Sequence, residues 1–408
     1  MTRSSRLAFS LALLGAAPLA AQAGASPAEP GSELVISLIT MGPGELVWER
    51  FGHNAIRVTD TRTGSDLAYN YGMFDFEAEH FFTNFARGRM DYWMQPQAAE
   101  GGLGQYVRRN RSVFSQRLNL TPRQRLELRE FLEWNARPEN RFYRYHYFYD
   151  NCSTRVRDAL DRVLGGALRS ATEGTPSGVT YRSETRRLTA NDPLIYTGIN
   201  IGLGRPTDRE ISRWEEMFLP LAVREYVRTI TVPDDAGAMR PLVAAEDTLY
   251  LSTAEPPPAG PPRWWPRFLI AGVAVGALLA ALGRGMQGSG AARVAFAILG
   301  GAWTLIAGLS GVVLAGLWLF TDHVTSYANE NLLQLSPLSL ALAVLIPVLA
   351  FRPDRPWIRT RRLALVVAAL SVLGLLITLI PGSQVNGEVI ALALPMHVGV
   401  WWGVRGRR

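Results

Sequence analysis

The apolar positions fall into two patterns that meet near Trp264. Before it, short apolar runs alternate with turn residues. Leu34 to Ile39 is a continuous run of strand length, which predicts a buried strand. Phe51 to Thr59 and Asp66 to Gly72 are β-rich, and the turn-forming stretch Asp60-Thr61-Arg62-Thr63-Gly64-Ser65 between them predicts a hairpin. Val113 to Leu120 alternates and predicts another strand. Thr121 before Pro122 marks a helix start, with Leu128, Phe131 and Leu132 among its apolar residues. Phe142 to Tyr149 is strongly aromatic and predicts a strand or an extended segment. Asn151 predicts a helix cap with Cys152 at the first helical position. Val156, Ala159, Leu160, Val163 and Leu164 then recur at helical spacing until Gly165-Gly166.

After Trp264 the pattern changes to five apolar stretches, at 268–283, 294–320, 332–351, 363–380 and 389–404. A membrane span needs about 20 apolar residues. The first and last stretches are short, and Trp264-Trp265 and Trp401-Trp402 extend them as interfacial belts. Residues 255–263 read as a stiff Pro-rich linker into this half. Residues 1–23 read as a cleaved secretory leader: Arg3 and Arg6, then apolar Leu7 to Leu19, then Ala21-Gln22-Ala23. The resulting division is leader 1–23, extracytoplasmic domain 24–254, linker 255–263 and a five-helix transmembrane domain 264–408.

Charge sharpens the topology. All 42 basic residues are Arg, against 35 acids, for a net charge of +7. Beyond Trp264 there are eleven Arg and four acids, so the whole excess lies in the apolar tail. No basic patch is implied for the N-terminal half, which argues against a nucleic-acid partner. Ten of the eleven tail Arg fall in the loops at 284–293 and 352–362 and at the C-terminus. The positive-inside rule puts those on the cytoplasmic side and the N-terminal domain outside. One Cys excludes an intrachain disulfide framework and a Cys-based zinc cluster, and no metal or cofactor is read.

That one thiol, Cys152, sits at a predicted helix N-terminus. The free amides and helix dipole there, with Arg155 and Arg157 nearby, predict a lowered thiol pKa. A buried small hydrophobe is the plain alternative. A nucleophilic Cys needs a base. His53, between the small residues Gly52 and Ala55 at a strand start, is the candidate. His80 and His146 read as packed or surface residues. His323 falls in an outside loop. His397, near mid-membrane, is either functional or a hydrogen-bonding group within the bundle.

The order strand-His, strand, helix-Cys resembles the permuted papain-like hydrolases and acyltransferases, such as lecithin:retinol acyltransferase. Several segments further resemble the Lnb-type lipoprotein N-acyltransferase family of bacteria: Phe51-Gly52-His53-Asn54-Ala55-Ile56-Arg57, Tyr69 to Phe76, and Tyr149-Asp150-Asn151-Cys152-Ser153-Thr154-Arg155. Thr321-Asp322-His323 and Asn329 to Leu333 look like that family's loop between spans. The resemblance covers most of 34–165 and part of the tail; residues 170–255 match no motif. It implies an α+β permuted papain-like ectodomain followed by an all-α five-helix membrane domain, in the bacterial cytoplasmic membrane with a cytoplasmic C-terminus. It implies an acyltransferase that moves a fatty acyl chain from a phospholipid donor, through a Cys152 thioester with His53 as base, to the N-terminal amine of a lipoprotein acceptor. Asn70, or failing it Asp150, would orient His53. Asp322, His323, Asn329 and Asn331 would help position a head group or the acceptor. Two other classes remain: an NlpC-type cell-wall peptidase or amidase using the same pair, and a non-catalytic membrane assembly factor.

Overall fold

The computed structural model describes Met1, residues 29–352 and residues 357–405. Past Met1, the leader read over 1–23 lies outside the described residues. The N-terminal half contains strands β1 (Leu34–Met41), β2 (His53–Asp60), β3 (Asp66–Met73), β4 (Met90–Ala98), β5 (Val113–Leu118) and β6 (Phe142–Tyr145). With Val243–Tyr250 they form one antiparallel sheet, in the order Val243–Tyr250, β5, β1, β2, β3, β4, β6. Helices α1 (Phe81–Ala86), α2 (Ala99–Arg108), α3 (Pro122–Ala136) and α4 (Cys152–Val163) surround it.

β1 is apolar at every position but Ser37 and Thr40 because both of its faces are covered. Leu34, Ile36 and Leu38 pack with Leu128 and Leu132 of α3 and Val156 and Leu160 of α4. Ile39 and Met41 point the other way, towards Ala55, Ala68 and the α2 residues Leu103 and Tyr106. The predicted hairpin is β2–β3, with Thr59 opposite Asp66 and Ala55 opposite Asn70. Its turn is held by Asp60 Oδ1, which accepts from the amides of Arg62 and Thr63. Thr121 caps α3 through a capping box with Gln124, as the sequence implies.

Residues 170–255, which carry no sequence motif, do two jobs. Val243–Tyr250 pairs with β5 and extends the sheet. The helices Tyr181–Thr189 and Pro193–Gly202 reach the tail. Glu388 there accepts from Arg186 Nη2 and from the Tyr196 hydroxyl, each at 2.8 Å. Its Oε1 also accepts from the Trp264 amide at 3.3 Å, and Arg186 donates to the Pro262 carbonyl at 3.1 Å. The Pro-rich stretch is therefore anchored to the domain at its far end, through the Pro262 carbonyl.

Among the described residues, four tail helices are long and apolar enough to cross a membrane: Trp265–Gly285, Gly290–Phe320, Ile358–Ile377 and Gly387–Arg405. The first and last approach closely through glycine. A Cβ on Gly276 would meet the Pro395 carbonyl oxygen at 2.3 Å, and one on Gly399 would meet the Gly276 oxygen at 2.2 Å. The stretch 332–351, predicted as one span, is interrupted. A 3-10 turn covers Glu330–Leu333, and the α-helix runs only over Ser339–Ala350. Pro337 disfavours helix at the residue before it. Gln334 is buried and spends its amide on the Ser371 carbonyl at 3.0 Å. Twelve residues reach about 18 Å, short of the ~30 Å hydrocarbon layer.

Candidate active site

Cys152 opens α4, and Asn151 fixes that opening. Asn151 Oδ1 accepts from the amides of Ser153 (2.8 Å) and Thr154 (2.9 Å). Its Nδ2 donates to the carbonyls of Tyr147 (2.8 Å) and Phe218 (3.0 Å). The cap thus orients the helix start as well as satisfying it.

His53 opens β2. Because Ala55 opposes Asn70, His53 is the diagonal neighbour of Asn70 on the same sheet face. His53 Nε2 lies 3.1 Å from Asn70 Oδ1. The Asn70 amide nitrogen donates to the Ala68 carbonyl at 3.0 Å, which turns its oxygen toward the ring. An amide oxygen only accepts, so Nε2 carries the proton and Nδ1 is left as the basic nitrogen. The Tyr106 ring of α2 lies parallel to the imidazole, 6.1 Å between centroids.

The strands separate where the thiol sits. The β2–β3 pairing ends at Ala55–Asn70, and the β3–β4 register slips between Asn70 and Met73. Gly72 occupies the slip at φ +83°, and a Cβ there would lie 3.3 Å from Cys152 Cβ. The Asn54 side chain, fully buried, accepts from Ser153 Oγ at 2.7 Å and donates to Thr40 Oγ1 at 2.9 Å. It ties β1, β2 and α4 together beside the pair.

Burial pushes the Cys152 thiol up to about 11, against the Asn54, Ser153 and Cys152 amides and the Arg111 charge. Burial pushes His53 down to about 4; the Asn70 hydrogen bond opposes this and the Arg111 charge adds to it. The predicted low thiol pKa is therefore corrected. Desolvation outweighs the helix-end amides, and the two expected cations point elsewhere. Arg155 pairs with Asp150 and lies over the Tyr143 ring. Arg157 pairs with Asp158 and donates to the Trp214 carbonyl at 2.8 Å. At rest the pair is a neutral thiol and a neutral imidazole.

The cation that does act on the site is Arg111, which the sequence did not single out. It is buried, donates to the Gly42 carbonyl at 3.0 Å, lies 3.4 Å from Glu49 and sits over the Tyr106 ring. Its Nη2 has no hydrogen-bond partner among the described residues. Nothing in Arg108-Arg109-Asn110-Arg111 marks the last as the buried one. Asn54, Gly72 and Tyr106 were also passed over as site residues, although Asn54 and Gly72 lie inside the segments that carried the resemblance.

The remaining candidates stand apart from the pair. Asp150 is taken by Arg155 and does not reach His53. Asp322 pairs with Arg89 at 2.9 Å, and His323 Nε2 donates to the Phe85 carbonyl at 2.9 Å, so this loop docks on α1. Asn329 and Asn331 are buried, and their amides donate to the Ile201 carbonyl at 2.9 and 3.1 Å. They lie in the seam between the two halves. His397 hydrogen-bonds the Gln334 carbonyl at 2.7 Å, which is the bundle role. His146 accepts from the amides of Phe148 and Tyr149, and His80 is exposed beside Glu79.

The profile of the Lnb N-terminal periplasmic domain matches residues 28–187, which include His53, Asn70 and Cys152. That of the Lnb transmembrane domain matches residues 288–404, which include the loop from Asp322 to Asn331. No curated protein and no solved structure matches the chain. An N-terminal α/β domain built around one sheet, an apolar helical tail and these two successive matches make the chain a member of the Lnb family, an inner-membrane protein with a periplasmic N-terminal domain.

Proposed function

We propose that this protein is a lipoprotein N-acyltransferase that moves a fatty acyl chain from a phospholipid to the N-terminal amine of a lipoprotein through a Cys152 thioester. The observation that carries the reading is His53, oriented through Nε2 by Asn70, on the strand whose next residue, Asn54, is bonded by Ser153 of α4, the residue after Cys152 at the capped helix start. The core is read as a permuted papain-like fold, with His53 on a strand preceding Cys152 on a helix. The domain division is read as a leader over 1–23, the domain over 24–254, a linker over 255–263 and the membrane half beyond. The tail is read as five crossings, with Ser339–Ala350 and its 3-10 lead-in completing the fifth, and with the C-terminus cytoplasmic.

In the first half-reaction His53 Nδ1 takes the thiol proton as Cys152 Sγ attacks the donor's ester carbonyl carbon. The backbone N–H groups of Asn54 and Cys152 hold the oxyanion. The ester C–O bond breaks, the proton passes from His53 to the leaving alkoxide, and a lysophospholipid departs. In the second half the lipoprotein's uncharged α-amine attacks the thioester carbonyl. Its proton moves to His53 and on to the departing thiolate, so the neutral pair is restored. Asp322 and His323, at the outer end of Gly290–Phe320, help position the head group or acceptor. Asn329 and Asn331 act through the seam, by holding residues 201–203 to the tail.

Intact-protein mass spectrometry of the full chain purified with native lipid tests this. An acyl adduct that hydroxylamine removes, and that Cys152→Ala lacks, is expected. N-acylation of a lipoprotein substrate by Cys152→Ala sinks the thioester route. Peptidoglycan fragments released by the wild type but not by Cys152→Ala favour a peptidase instead.

A further inference from the structure

A band of aromatic side chains connects the Cys152 site to the membrane half, and the chemistry above makes no use of it. Helix α1 has three Phe among six residues, yet none of the six is buried. Phe82 is 71 % exposed, Trp48 51 %, Phe76 44 % and Phe85 42 %. Leaving such rings in water forgoes the burial that ordinarily stabilises them, and a contiguous apolar patch of this kind marks a binding surface.

The band is continuous. Trp48 and Phe76 lie 5.3 Å apart between ring centroids, Phe76 and Phe81 5.2 Å, and Phe74 and Phe76 4.9 Å. Phe74 leads inward to Tyr92 at 5.0 Å, and Tyr92 to Tyr145 at 4.4 Å. Tyr145 borders Gly72, whose other neighbour is Cys152. The inner end is thus the nucleophile. At the outer end the Phe85 ring lies 6.3 Å from that of His323, and the Asp322 amide donates to the Arg87 carbonyl at 2.8 Å. That loop follows Gly290–Phe320, whose last residues Leu319 and Phe320 are exposed and apolar. A continuous run of ring contacts, exposed at its outer end and buried at Tyr92, therefore links the end of a candidate span to the thiol.

We infer that the shelf formed by Trp48, Phe74, Phe76, Phe81 and Phe85 binds a hydrocarbon chain of the membrane lipid whose ester Cys152 attacks. The inference rests on the acyl-transfer reading for the chemistry, and on the continuity of the shelf with both ends for the occupant. A long chain leaving the bilayer would otherwise cross water. A soluble peptide substrate would need no apolar path from the membrane end.

Two measurements on the full chain in mixed micelles test it. The first is the rate of Cys152 thioester formation from a dipalmitoyl and from a dibutanoyl phospholipid. Trp48→Ala with Phe76→Ala should lower the long-chain to short-chain rate ratio about tenfold, as loss of two aromatic contacts would. An unchanged ratio overturns the shelf. So does a loss seen in vesicles and absent in micelles, which would make this aromatic band a membrane anchor only. The second uses the Cys152→Ala chain and a phospholipid with a photoactivatable diazirine in mid-chain. Labelling within residues 73–89 is expected, and labelling confined to the tail helices overturns the shelf. If the wild type forms no thioester while that labelling persists, the acyl-transfer reading fails and the lipid site stands.

Discussion

Burial pushes the Cys152 thiol up to about 11 and the His53 imidazole down to about 4, so the resting thiol keeps its proton. In the proposed attack the proton would move as the Sγ–carbon bond forms, and Asn70 would then keep Nε2 protonated and Nδ1 basic. The consequence is measurable without substrate. Below its pKa the thiolate fraction grows about tenfold per pH unit. Alkylation of Cys152 by iodoacetamide should therefore rise with that slope from pH 6 to pH 9, with no plateau. A rate independent of pH over this range would mean a preformed thiolate–imidazolium pair. The sequence made legible that Cys152 opens a helix and His53 a strand, and it offered Asn70 or Asp150 as a partner for His53; the structure has Asn70 3.1 Å from the ring and Asp150 paired with Arg155. The sign of the thiol shift was not legible. It depends on how much protein covers the helix start, and on where Arg111, Arg155 and Arg157 point once α2 and β5 have packed.

At the scale of elements, the site exists because two regular pieces fail to stay in register. The β2–β3 hairpin was readable from its alternation and its turn, and α3 and α4 from their caps. The slip after Asn70 was not, since it is set by pairing with β4, some twenty residues on. The same limit applies to the third apolar tail stretch, where composition suggested one helix and buried Gln334 with Pro337 broke it. Gly72 is where the slip meets the chemistry. Gly72→Ala forces a side chain into a left-handed conformation, at about 1–2 kcal/mol, and puts a methyl group against Cys152. Thioester formation should fall at least about tenfold while the unfolding midpoint drops only a few degrees. An unchanged rate would show that α4 can shift by a few tenths of an ångström without consequence for the attack.

Across the whole molecule, the proposed transfer from a membrane lipid would require the periplasmic domain to be held at one height above the tail. Residues that carried no motif provide much of that hold. Arg205 donates to the Gly382 carbonyl at 2.7 Å, Asn329 to the Ile201 carbonyl at 2.9 Å, and Arg186, Tyr196 and Asn200 converge on Glu388. Glu388 begins the last tail helix and is 6 % exposed, so its charge is balanced almost wholly by the domain above it. Removing one partner of such a buried pair leaves the other uncompensated, at about 3–5 kcal/mol. In Glu388→Ala the stranded group is Arg186, and the Pro262 carbonyl and Trp264 amide lose the cluster that anchors them. Residues 255–263 should then become open to proteolysis in the folded protein. Transfer from membrane phospholipid should fall several-fold, while thioester formation from a short-chain soluble ester should persist, because the Cys152 pair touches none of these groups. Equal loss with both donors would mean that the clamp holds the catalytic domain together rather than its position on the membrane.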